Sequence, residues 1–138
     1  MRNVIIFTND RGGVSVCTPT GELPIEQVQA KDIPAGVDSY IVAATSLPED
    51  DNDFFDAWEQ TKGGVTVNID KAREITKARL RTERAPLLAA QDVLFQRAQE
   101  SGADTAAIVA EKTRLRDVTN LADGVSTLAD LRALKAAA

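Results

Sequence analysis

Residues 70–101 read DKAREITKARLRTERAPLLAAQDVLFQRAQES, a run dominated by the good helix formers Ala, Lys, Arg, Glu, Leu and Gln. Asp70 stands behind a strand-like GGVTVNI and suits the N-cap, while Gly102 suits the left-handed residue that closes many helices. A helix of that span is on the order of 45 Å long. A small domain has nowhere to bury all of such a rod. Part of it is expected to project, or to pair with another helix or another copy of the chain. Pro86 falls inside the pattern and removes one helical hydrogen bond, which predicts a kink near Ala85 or a division in two.

The two halves of this stretch differ. In the first half Arg73, Lys77, Arg81 and Arg84 follow a 4-4-3 spacing and share one stripe, with only Glu74 and Glu83 to balance them. A DNA-binding helix would look similar, but interleaved aromatics and overall basicity are missing. A solvated or intersubunit salt-bridging face is the better reading. In the second half Leu87, Leu88, Leu94, Phe95 and Ala98 make an apolar face. Residues 101–104 form a short turn in which Asp104 caps a helix over 105–119, with Ile108, Leu115 and Val118 on one side. So short a turn makes the two helices antiparallel neighbours, an αα-hairpin. Asp123-Gly124 break it, and Thr127 caps a terminal helix carrying Leu128, Leu131 and Leu134.

Before residue 70 the chain reads as a small α+β head. The runs 4–7 and 14–18 make a β-hairpin around Asn9-Asp10-Arg11-Gly12-Gly13. Gly12-Gly13 lacks the spacing, the Lys and the following helix of a phosphate-binding loop. Pro24 opens a short helix with Ile25 and Val28 on one face; Pro34 and Gly36 stop it, and 39–43 is a third strand. The acidic run 49–53 lacks the glycine and closing glutamate of a calcium loop, and reads as the first turn of a helix over 53–60. That helix brings Phe54, Phe55 and Trp58 together, either as core anchors or as a contact patch for a partner. Gly63-Gly64 read as a flexible break before a fourth strand, 65–69. The expected organisation is thus α+β: a head of about four short strands and two short helices (1–69), then a helical tail (70–138).

Bulk chemistry narrows the function. The net charge of −5 argues against nucleic acid as a partner. It is split: residues 1–70 hold 4 basic and 12 acidic residues, a net of −8, and residues 71–138 carry a net of +3. Such halves attract one another, within a subunit or between subunits. No run approaches the ~18 apolar residues of a membrane span, and the apolar core of MRNVIIFTND is too short for a signal peptide. A soluble chain made in the cytoplasm is expected. Cys17 stands alone, so no internal disulfide forms, and a small apolar role in a strand fits it better than a reactive thiol. There is no histidine, which removes triads and imidazole metal sites. No enzyme, metal or cofactor is expected.

Several stretches carry a resemblance. They are the Pro19 turn followed by IEQ, KDIPAG (31–36), LPED (47–50), FFDAW (54–58), V-x-I-D-KAREI (67–75), RAPLLAAQDV (84–93) and LRDVT (115–119). In their order and spacing the chain is similar to a family of small proteins that tailed bacteriophages and prophages encode beside tail-fibre genes. The final stretch resembles the helical C-termini of phage tail-fibre assembly proteins. The resemblance implies a structural or assembly role and no catalytic residues. Two readings follow. One is a non-enzymatic virion component, associated with the tail or fibre and self-assembling as a trimer or higher. The other is a tail-fibre assembly chaperone, absent from the mature particle, whose client site is Phe54, Phe55 and Trp58. Residues offered for protein contacts are these three together with Arg73, Lys77, Arg81, Arg84, Leu87 and Leu94. The expected partners are other phage tail or fibre proteins, in the host cytoplasm during assembly and then in the virion.

Overall fold

In a computed structural model, which describes residues 2–138, β1 (Asn3–Thr8) and β2 (Val14–Cys17) pair antiparallel around one asparagine. The Asn9 side-chain oxygen accepts from the Arg11 and Gly13 N–H groups at 3.0 and 3.1 Å, and its amide donates to the Ser15 hydroxyl at 3.1 Å. Gly12 takes φ +81°, which only glycine holds without cost. β3 (Ser39–Ala43) pairs with the other edge of β1, giving an antiparallel sheet of order β2-β1-β3.

Side chains alternate across this sheet. Val4, Ile6 and Val14 point to one face and form a core with Ala44 and Trp58, flanked by Val16, Tyr40, Val42, Val65 and Val67. Ile5, fully buried, points to the other face. Alongside β1 lies α1 (Ile25–Asp32), whose Gln29 amide donates to the Ser39 carbonyl and hydroxyl.

The segment expected as a helix over 53–60 is built otherwise. Glu49–Ala57 forms irregular 3₁₀ turns, broken at Asp51 and Phe54, and then β4 (Trp58–Thr61) runs extended. β4 pairs with β5 (Gly64–Val67) through a two-residue turn with Lys62 at φ +52° and Gly63 at φ +87°. Two positive φ values make the primed turn that matches the right-handed twist of a hairpin. The Gly-Gly pair is therefore part of a tight turn rather than a flexible break. The described residues thus form five strands, one more than expected. Trp58 opens β4 because its ring fills the sheet core, with Nε1 donating to the Asp51 carbonyl at 3.2 Å.

α2 (Ile69–Ser101) is a single helix of 33 residues; Pro86 lies inside it and does not divide it. Its N-cap is Asn68, two residues earlier than expected. The Asn68 Oδ1 accepts from the N–H groups of Asp70 and Lys71, and its carbonyl accepts from Ala72. Asp70 sits instead in the first turn, where the helix dipole favours its charge. At the other end Gly102 has φ +71°, Gly102 N–H bonds to Gln99 and Ala103 N–H to Ala98, a Schellman motif.

α3 (Ala106–Asp117) follows, with its first turn held by the Asp104 carboxylate on the Ala106 N–H. It tightens into 3₁₀ turns over Val118–Gly124 and leads to α4 (Leu128–Ala133), capped by Thr127 on the Asp130 N–H. The chain divides into two compact units, the first ending at Ala72 and the second running Arg73–Ala138.

Candidate protein-interaction surfaces

The aromatic trio does not form a surface patch. Phe54 is 4% exposed and Trp58 2%, so neither offers itself to a partner. Phe55 is the member left accessible. Its ring lies 4.8 Å from that of Trp58 at a tilt of 56°, a geometry favoured by the quadrupoles of both rings.

The basic stripe of α2 is spent largely within its own unit. Arg73 Nε donates to the Val125 carbonyl at 3.0 Å, and Lys77 pairs with Asp123 at 2.7 Å. Arg84 donates to the Leu115 and Arg116 carbonyls at 3.4 and 2.7 Å. Those carbonyls belong to the last turn of α3, where a cation meets the negative end of the helix dipole, and the Leu115 carbonyl also accepts from the Val118 N–H. Arg81 is the exposed member of the four.

Two arginines outside the stripe do the same work. Arg79 reaches the Leu131 carbonyl at 3.1 Å, and Arg114 the Ala136 carbonyl at 3.0 Å. The Ala136 N–H donates to Glu83, and this bond together with the Arg79 guanidinium holds the Glu83 carboxylate below its ordinary range. The hydrogen bond to Asp123 raises the Lys77 ammonium above its ordinary value. In the first unit, hydrogen bonds from Asn68 and Lys71 likewise lower Glu59.

Beneath these polar ties lies a core of Leu80, Val118 and Ala136, packed with Leu87 and Leu134. Leu87 is therefore an intramolecular contact. Leu94, placed by its spacing on the same apolar face, stands 45% exposed instead. Here α2 is answered by α3, which lies antiparallel: Lys112 pairs with Asp92 at 2.7 Å and sits 5.0 Å above the Phe95 ring. Val93 and Val109, on the same stretch of hairpin, are 47% and 46% exposed.

Among the described residues no three of His, Cys, Asp or Glu gather as a metal site, and no buried side-chain nitrogen or oxygen lacks a partner. None of their helices is long and apolar enough to cross a membrane. Thus the residues singled out in the sequence divide three ways: core (Phe54, Trp58, Leu87), internal ties (Arg73, Lys77, Arg84) and surface (Phe55, Arg81, Leu94). Sequence reasoning missed Val93 and Val109; the signal for Val109 is a valine in an alanine-rich turn (106–110), and Val93 lies directly beside Leu94 on α2. Comparison with protein-family models, curated proteins and solved structures finds no match.

Proposed function

We propose that this chain is a non-enzymatic assembly protein, a tail- or fibre-associated component of a tailed-bacteriophage particle that self-associates through its helical hairpin. The observation that carries the assembly reading is the exposure of Val93, Leu94 and Val109 on the same stretch of the hairpin; Leu121, 51% exposed, is the other large apolar residue among those described that this unit leaves in solvent. Exposed apolar side chains at one end of a helical pair are what a subunit seam requires. The phage setting rests on the sequence resemblance alone. The chaperone reading, in the form that used Phe54, Phe55 and Trp58 as its client site, loses two of those residues to the core.

Light scattering behind a sizing column tests the assembly reading. The expected result is a trimer or higher species, which Leu94→Glu combined with Val109→Glu reduces to monomer with the helix content unchanged. A wild-type monomer at all concentrations overturns it.

A further inference from the structure

The segment that carries α4 and residues 134–138 lies in the cleft between α2 and α3. It has little stability of its own, since the six residues of α4 are too few to persist as a helix without something packed on them. The cleft supplies what is missing. Leu131 and Ala136 are fully buried there, and Leu134 packs on the core of Leu80 and Val118.

The cleft holds this segment largely by its backbone. Arg73 meets the Val125 carbonyl, Arg79 the Leu131 carbonyl, Glu83 the Ala136 N–H and Arg114 the Ala136 carbonyl. As the segment advances through 125, 131 and 136, its partners on α2 advance through 73, 79 and 83. It therefore runs parallel to α2 for about 15 Å, with its 136 end toward Leu94. Lys77 on Asp123 and Arg73 on Val125 pin the chain before it. Between that pinned part and α4 stand Ser126 and Thr127, both exposed, and the Thr127 cap belongs to α4 itself. These two residues are the hinge.

The same bonds and the same pockets fit an identical segment from a neighbouring chain, so exchange between copies alters the hinge alone. The assembly reading above, on which this inference rests, sets a neighbour beside the segment: the exposed Leu94 follows along α2 from the 136 end. Held there, the neighbour's cleft is present at a high effective concentration. We infer that in the assembled form residues 126–138 of each chain leave their own cleft and occupy that of a second copy. A segment handed to the next cleft is a directional contact, and directional contacts that close make rings.

Lys135 stands close enough to Glu83 to help lower its carboxyl, so the pair reports whose segment lies on whose helix. Equal amounts of ordinary and isotopically heavy full chain are refolded together, allowed to assemble and joined by a zero-length carbodiimide. Mass spectrometry then reads the Lys135–Glu83 links. In the oligomer about half of them should join a light chain to a heavy one, the random share for exchanged segments. Lengthening the hinge with a Gly-Ser stretch after Val125 relaxes closure within one chain and should lower the mixed share severalfold. An oligomer whose links all join like to like overturns exchange and leaves the assembly reading standing. A mixed share that the longer hinge leaves unchanged assigns the links to contact across the seam and overturns exchange as well. A chain that stays monomeric at all concentrations overturns the assembly reading, and exchange with it.

Discussion

One helix builds both ends of the hairpin, and the two ends are finished differently. Near its start α2 is met by the last turn of α3, by the 3₁₀ turns after it and by the C-terminal segment. There Leu80 and Ala136 are 0% exposed and Val118 2%. Toward its end the same helix meets α3, with Asp92 and Phe95 on Lys112, and Leu94 stays 45% exposed. The helix supplies leucines at both places. What differs is the chain that returns across them, and that return is fastened by arginines reaching backbone carbonyls rather than by apolar area alone. Burial along a long helix is thus decided by its partners, and the end without them is the surface that the proposed self-association would use.

The sharpest way to break this contrast is at the closed end. Leu80→Ala removes a side chain with no exposure and leaves a cavity among Val118, Leu87 and Leu134, so a loss of about 2–5 kcal/mol is expected. Urea unfolding of the two chains side by side measures it. An effect as small as that of a surface substitution would mean that the C-terminal segment does not close over α2. Arg84→Met comes next. It keeps the apolar stem and removes the bonds to the Leu115 and Arg116 carbonyls, for a loss of about 1 kcal/mol. A shift in the urea midpoint with an unchanged slope is the expected signature.

The fold as a whole was only partly legible in the sequence. Thr127, Gly102 and the Asn9–Gly13 turn could be read because each answers a local need: an unpaired N–H, a positive φ, a two-strand reversal. The cap of α2 was misplaced by two residues because Asn68 and Asp70 are both good caps, and the end of β5 decides between them. β4 was hidden for a different reason. Phe54 and Trp58 have helical spacing, and nothing local announces that Trp58 belongs to a strand. The signal that was there is Lys62-Gly63, a two-residue turn joining WEQT to GVTV. The arginine stripe was visible, but its acceptors lie 31–52 residues away along the chain, and no spacing rule reaches that far.

Acidity should loosen the closed end in a defined window. Glu83 has its folded pKa held below the ordinary 4.5 by the Ala136 N–H and then by Arg79. A depressed carboxylate contributes stability above its unfolded pKa and loses it as pH falls through the folded value. Glu83→Gln keeps an acceptor for Ala136 and gives up the charge. The variant should therefore be the less stable at neutral pH, and the gap should narrow as pH falls below the ordinary 4.5 and through the depressed folded value. Urea midpoints along a descending pH series check this, and a gap independent of pH would assign the Glu83 contribution to the uncharged contact alone.

The smallest effect on stability is expected at the open end, and it is the informative one. Leu94→Ala removes as many atoms from α2 as Leu80→Ala does, but from a side chain already 45% exposed. Little transfer free energy and no cavity are at stake, so the change measured at protein concentrations dilute enough for a single chain should stay within about 0.5 kcal/mol. At higher concentration the two chains should part, since a residue buried only in an oligomer adds stability only when the oligomer forms. Equal stability at every concentration would mean that the open end has no partner in copies of itself. A full core-sized loss in the dilute chain would mean that it is not open at all.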